Sequence, residues 1–368
     1  MKRKKMLPVP VLILIDVLLI GAFLCIYALF HHVLNGSFRN GAPRGSQTPA
    51  MAVSVIPTPT PAPTAVPVTS GETGTQEGEA PEEESVVIDY GQFGEKFQDK
   101  FAAEGEVIQT ETLYMSHDIR AEMSTDRMFN SDILIVDLYV RNIENLRTTF
   151  AAGSDVFDGA RAKVFTMAER EHAIAAMNGD YAGFMNGGEY VVLRNGVFFY
   201  SRPNRAVCVI YYDGRMETYW KPYNQTGDDF DLDEAMANGA WQIWSFGPAL
   251  LDAEGHANPM YDSSVYQPRS VLGYYEPGHY CFITVAGRTN NDTGMNLDQL
   301  AAMCESYGLT QGYNMDGGGS STMIFGGECV AIGSPYEPQR AVTDCIFVAE
   351  QDGSIPPFWQ TRDGEEEG

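Results

Sequence analysis

Basic residues are scarce: 24 Lys and Arg stand against 49 Asp and Glu in 368 residues, a formal net charge of -25. Such a field repels polyanions, which argues against nucleic acid as a partner and requires any anionic ligand to be held by local donors. Cysteine is sparse too, with six residues, no C-x-x-C pair and no zinc-ligand spacing. Cys25 lies in an apolar run, so five thiols remain, Cys208, Cys281, Cys304, Cys329 and Cys345. An odd number leaves at least one unpaired within the chain and fixes no connectivity, so some are expected to be small core residues. His117, His256 and His279 show no metal spacing with one another. There is no G-x-S-x-G elbow, no H-E-x-x-H helix, and no lysine behind the glycine-rich stretch as a P-loop would need.

What is present divides the chain into four parts. The opening "MKRKKMLPVPVLILIDVLLIGAFLCIYALF" sets basic residues from Lys2 to Lys5 before an apolar run from Met6 to Phe30. That run is long enough to span a bilayer, and "ALFHHVLNG" offers no A-x-A-like cleavage site, so it reads as an uncleaved anchor. The basic cluster stays in the cytoplasm and the remainder lies outside. Asp16 costs about 2.5–3.5 kcal/mol within the span, and either pairs with another membrane helix or is tolerated by an otherwise very apolar segment. The expected organisation is a cytoplasmic stub and anchor over 1–34, a Pro/Thr-rich acidic spacer over 35–85, a catalytic domain over 86–352 and a solvated acidic tail over 353–368. The spacer has too little apolar surface to offset its ordering entropy.

Within 86–352, alternation and turn chemistry predict an α+β fold: a single, mixed, mostly antiparallel sheet-rich domain with a few helices. "DILIVDLYVRN" reads as a strand. Asn195-Gly196 in "EYVVLRNGVFFY" and Asp213-Gly214 in "RAVCVIYYDGRMETYW" mark hairpins, and "SVLGYYEPGHYCFITVAGR" reads as a third antiparallel pair turning at Glu276 to His279. "NLDQLAAMCESYGL" predicts a helix with Asn296 as N-cap, Gln299 completing a capping box and Gly308 at its exit. Weaker helical patterns cover Phe165 to His172 and "DLDEAMANG".

Polar groups and glycines collect at the ends of apolar runs in "MNGDYAGF", "WSFGPALLDAEG", "QPRSVLGY" and "VAGR" taken with "NMDGGGSS". Gly317, Gly318 and Gly319 either form an anion nest with Asp316 at its lip and Ser320 and Ser321 adding hydroxyls, or make a tight connection between strands. Asn178 and Asp180 read as a donor and a second carboxylate, or as an ordinary turn. Arg269, Arg288 and Arg340 read as anion forks or as solvated charges.

Taken in order, "AIAAMNGDYAG", "GEYVVLRNGVFF", "SFGPALL", "QPRSVLGY", "VAGR", "GMNLDQLAAMCESYGLTQGYNMDGGGSSTM" and "QRAVTD" resemble the phosphodiester glycosidase family. The resemblance runs from about Ile133 to Val348, and the long final block is its most specific part. It implies that Asn178, Gly179 and Asp180 form a site loop sharing one cleft with Arg269, Arg288, Asp316 and the Gly317 to Gly319 turn. "NGDYA" stands where many members read "NGGFF", and Gln267-Pro268-Arg269 where bacterial relatives often read "NPR". The implied activity is hydrolysis of the bond between sugar C1 and phosphate oxygen in a sugar 1-phosphodiester or phosphate-linked glycopolymer. The loop amides and arginines would hold the phosphate, and Asp316 or Asp180 would activate water or attack C1. No cofactor is required by this reading, and a divalent cation is left undecided. A glycopolymer binder and a transferase of exopolysaccharide assembly are the alternatives.

Overall fold

Hairpin chemistry sets most of the strand order. The computed structural model describes residues 91–180, 182, 190–202, 205–219, 230–260, 264–333 and 339–363. The expected anchor and spacer lie outside these residues; among those described, no helix is long and apolar enough to cross a membrane.

Three sheets form. The first runs in the order β1 (Ile108–Gln109), β2 (Leu113–Met115), β3 (Ile119–Met128), β4 (Ser131–Val140), β13 (His279–Val285), β12 (Arg269–Glu276) and β14 (Gln311–Asn314). The second runs β10 (Met216–Tyr219), β9 (Ala206–Tyr211), β11 (Ala240–Phe246), β7 (Val191–Arg194), β8 (Val197–Ser201). The third runs β16 (Glu328–Ile332), β15 (Thr322–Phe325), β6 (Ala175–Asn178), β17 (Asp344–Val348), β5 (Leu146–Phe150). Every ladder among the described residues is antiparallel, so the expectation of a mixed sheet is corrected. Parallel neighbours need long crossovers, and here tight turns join many of the pairs. The Asn195-Gly196 hairpin forms as expected, with φ of 51° and 74°. The β12–β13 pair also forms.

Four α-helices accompany the sheets among the described residues. α1 (Val164–Arg170), α2 (Leu232–Ala237) and α3 (Leu297–Ser306) match the three helical patterns. The Asn296 side chain accepts from the Gln299 amide at 2.9 Å, and Gly308 leaves α3 at φ 71°. The reciprocal half of the capping box is absent, since the buried Gln299 Oε1 has no partner. Leu300, Met303 and Cys304 of α3 pack on Val271, Cys281 and Ile283 of the first sheet. α4 (Pro357–Asp363) lies where a solvated tail was expected. Trp359 explains it: the side chain is 2% exposed, its indole donates to the Ala173 carbonyl at 3.0 Å, and it meets Phe165 edge-on. The fold therefore extends beyond residue 352.

All three sheets feed one core, with Leu138, Phe282 and Tyr313 from the first, Cys208, Ile210 and Trp244 from the second, and Met177, Met323 and Ile346 from the third. The five cysteines of the described region are all free thiols, four buried and Cys329 exposed.

Candidate active site

The glycine-rich stretch is a crossover. The chain leaves the first sheet at Asn314 and enters the third at Thr322, and Met315 to Ser321 bridge the two through a single 3-10 turn. Asn178, at the end of β6, pins this bridge. Its Nδ2 donates to the Asp316 carbonyl at 2.7 Å, while its Oδ1 accepts from Ser270 Oγ at 2.8 Å and from the Thr322 amide at 3.2 Å. One buried amide thus ties the first sheet, the third sheet and the turn together. Every polar atom of Asn178 named here is engaged by the protein, which makes it a positioning residue in this geometry.

Only Gly318 of the three loop glycines sits in the left-handed region, at φ 64°. A Cβ there would stand 3.3 Å from Arg288 Nη2, so the guanidinium lies directly against the turn. Gly317 faces the Pro268 carbonyl, which a Cβ would approach to 2.8 Å. The amides of Gly318, Ser320 and Ser321 donate to Pro268, Gly317 and Gly318 carbonyls at 2.9, 3.3 and 3.2 Å. These three N–H groups are therefore spent inside the protein, and an open nest of successive amides is not what this turn presents. The Gly319 carbonyl accepts from the Arg340 amide at 3.0 Å, and Ser320 Oγ accepts from Arg340 Nη1 at 3.2 Å. Ser321 Oγ is buried with no partner.

Asp316 sits at the lip of the turn with its side chain 15% exposed and Arg340 Nη1 at 3.8 Å from Oδ2. Burial pushes its carboxyl above the usual carboxylate range, while the Ser320 hydrogen bond and the Arg340 charge pull it the other way. Asp180 is different. Its Oδ1 accepts from Arg194 Nη2 at 2.9 Å and from the Ala182 amide at 3.1 Å, and its Oδ2 accepts from the Ser245 amide at 2.8 Å. A carboxylate so fully engaged anchors the loop that follows Asn178.

Arg194 and Asp344 complete that anchor, and neither stands out in the sequence. Arg194 is fully buried; its Nε and Nη2 donate to Asp344 Oδ2 at 3.1 and 2.9 Å, and its Nη1 donates to the Ile243 carbonyl. It also lies over the Trp244 ring at 5.4 Å. Burial pushes the Asp344 carboxyl up to about 7, with Arg194 opposing and Asp180 adding to the rise. Asp344 Oδ1 has no hydrogen-bond partner and lies against the Cα of Gly179. The signals that could have found the pair are the Asp closing "QRAVTD" and an Arg inside the otherwise apolar "YVVLRNG".

A Cβ on Gly179 would come within 2.5 Å of Asp344 Cγ, and Arg194 prevents that carboxyl from retreating. Gly179→Ala is therefore expected to cost about 1–3 kcal/mol by overpacking and to displace Asp316, whose amide donates to the Gly179 carbonyl at 3.3 Å. Denaturant titration checks this; a midpoint equal to that of the parent would show that the crossover can shift freely.

Two more arginines converge on the turn. Arg269 is 6% exposed, donating to the Met295 carbonyl at 2.9 Å and the Val265 carbonyl at 3.0 Å. Burial and the neighbouring Arg288 charge lower it to about 10. Arg288 is exposed and donates to Gln267 Oε1 at 3.2 Å. Arg269, Arg288 and Arg340 thus surround one glycine turn in a chain of net charge -25. Among the described residues no group of three or more His, Cys, Asp or Glu is arranged to hold a metal ion.

The arrangement defines a class first: a sheet-rich α+β domain with a half-buried carboxyl beside an arginine-flanked glycine crossover. Residues 171–349 match the family model described as phosphodiester glycosidase, and this segment belongs to that family. The SPbeta prophage-derived uncharacterized protein YomE of Bacillus subtilis (strain 168) is 27% identical over 217 residues, covering 55% of this chain and 32% of YomE. The chain thus spans about a third of that relative's length. Among solved structures, the zebrafish N-acetylglucosamine-1-phosphodiester alpha-N-acetylglucosaminidase catalytic domain, auto-inhibited by its pro-peptide, is 20% identical with a TM-score of 0.48. That similarity covers 68% of this chain and 87% of the zebrafish one. A hypothetical protein from Synechocystis is 13% identical with a TM-score of 0.47, over 67% of this chain and 64% of its own.

Proposed function

We propose that the chain is an extracytoplasmic, membrane-anchored hydrolase that cleaves the bond between sugar C1 and phosphate oxygen in a sugar 1-phosphodiester. N-acetylglucosamine 1-phosphodiesters and phosphate-linked envelope glycopolymers are the substrate types in view. The observation that carries the reading is the convergence of Arg269, Arg288 and Arg340 on the turn that bears Asp316. The like-charge pair Arg269 and Arg288 supplies a local positive excess where the chain as a whole would repel an anion.

A phosphodiester leaving group departs as a stabilised anion, so it needs little proton donation and charge stabilisation dominates. Arg288 and Arg340 reach solvent and meet the phosphate; Arg269, buried on backbone carbonyls, holds its charge behind them. Asp316 is the carboxylate that attacks C1 or activates water, because the oxygens of Asp180 are occupied. Asn178, Gly179 and the Asp180–Arg194–Asp344 anchor keep Asp316 in place.

Hydrolysis in oxygen-18 water tests the bond assignment. The label is expected at the C1 hydroxyl of the released sugar; label in the phosphate would make the protein a phosphodiesterase. A panel of α-linked sugar 1-phosphodiesters, run with and without added divalent cation and with and without an acceptor glycan, separates the classes. Product that requires the acceptor would indicate a transferase, and saturable binding with no product a glycopolymer binder.

A further inference from the structure

The hairpin between β3 and β4 breaks the rule for its turn. Its two loop residues, Phe129 and Asn130, both have positive φ, 49° and 57°. Such a primed turn is normally occupied by Asn, Asp or Gly, because a bulky side chain there crowds the backbone. Phe129 gains little burial in exchange, being 41% exposed. Arg288, at φ 58°, is strained as well. Among the described residues five non-glycine residues have positive φ, and these three line a single cavity of about 790 Å³ together with Tyr266, Thr293 and Gln299. Strained residues persist where the surroundings over-determine them, and they gather at ligand sites.

The wall of this cavity is held rigidly. The Thr293 amide donates to the Asn130 carbonyl at 3.1 Å, and the Gly294 amide donates to Ser131 Oγ at 2.9 Å. Asp292 accepts from the Asp132 amide, Arg127 Nη1 and Thr289 Oγ1 at 3.0, 3.1 and 2.9 Å, locking the loop after Arg288 to the β3–β4 turn. Burial acts to raise the Asp292 carboxyl, but these hydrogen bonds prevail and hold it below the usual range, so the lock stays charged.

The lining chemistry is specific. Two aromatic residues, Phe129 and the 51%-exposed Tyr266, line the cavity with neutral hydrogen-bonding groups on Asn130, Thr293 and Gln299, and among the described residues Arg288 is the one charged residue in its lining. Aromatic faces combined with amide and hydroxyl groups suit a pyranose, whose C–H face stacks while its hydroxyls find donors and acceptors. Arg288 belongs to both places, lying against Gly318 on one side and lining the cavity on the other.

We propose that this cavity is a glycosyl subsite that seats the pyranose ring across the phosphate from the scissile sugar, stacked on Phe129 and Tyr266. The assignment rests on the hydrolase reading above and supplies its preference for a sugar-bearing leaving group. Two 1-phosphodiesters of the same sugar, one with a methyl and one with a hexosyl aglycone, are compared on the full-length chain in detergent. The parent is expected to favour the hexosyl compound at least tenfold in kcat/KM. Phe129→Asn, which suits the turn, and Tyr266→Ala should each erase most of that preference while leaving the methyl compound unchanged. A preference that survives both substitutions, or that the parent lacks, overturns the subsite. If neither compound is turned over, the hydrolase reading fails, and saturation-transfer NMR with a panel of methyl hexopyranosides still tests the cavity. Binding lost in both variants supports a glycosyl site; binding that is absent from the parent or unchanged by the substitutions removes it. Melting temperatures equal to or above the parent's in Phe129→Asn exclude misfolding as the cause.

Discussion

Asp316→Asn is expected to lower kcat for sugar 1-phosphodiester hydrolysis by about 10²–10⁴-fold without loss of stability. The wild-type carboxyl is raised by burial, so a neutral isostere removes a desolvation cost while keeping an oxygen for Ser320. In the proposed role Asp316 works in its ionised form, so activity is expected to rise with pH through its pKa. Because that pKa lies above the ordinary 3.8, the acid limb of kcat/KM should fall at correspondingly higher pH. Arg340, 3.8 Å away, opposes the rise. Arg340→Ala should therefore move the acid limb further up as well as weaken phosphate binding. Turnover in Asp316→Asn within a few fold of the parent would remove Asp316 from the reaction, and an acid limb unmoved by Arg340→Ala would separate that limb from Asp316.

Local chemistry was legible where it is decided within a few residues. The Asn195-Gly196 turn and the Asn296 cap formed because a left-handed residue pair and a side-chain acceptor act over two to four positions. The same logic fails for Phe129-Asn130, where the residue that turn chemistry disfavours occupies the turn. It fails again at residues 357–363, inside the 353–368 stretch expected as a solvated acidic tail, where Pro357 and Trp359 supply a helix start and a buried anchor. The three-sheet division was not legible, because a strand's own pattern does not name its neighbours. At the site, Asp316, Arg269, Arg288 and Arg340 do assemble around the glycine turn. The burial of Arg194 between Asp180 and Asp344 could not be read from local pattern, since it joins residues 150 positions apart.

Arg194→Met should be the most destabilising of these substitutions, and its effect should depend on pH. Methionine fills a comparable volume, so the loss is mainly electrostatic: Asp180 and Asp344 remain buried without their cation. Breaking such a pair from one side costs about 3–5 kcal/mol, roughly 6–20 °C in Tm for a large domain. The sign follows from linkage. A carboxyl whose folded pKa is raised binds more protons folded than unfolded, so its contribution is fully present below about 3.8 and is lost as pH rises through about 7. Arg194 lowers that folded pKa, so its removal carries the loss to still higher pH. The gap in Tm between parent and variant should therefore be smaller near pH 5, where the Asp344 carboxyl keeps its proton in both, and should widen from pH 7 to pH 9. Scanning calorimetry across that range decides the matter. A gap of constant size would remove the Asp344 charge from the effect and assign the loss to the Asp180 pairing, to packing against Trp244 and to the Ile243 carbonyl.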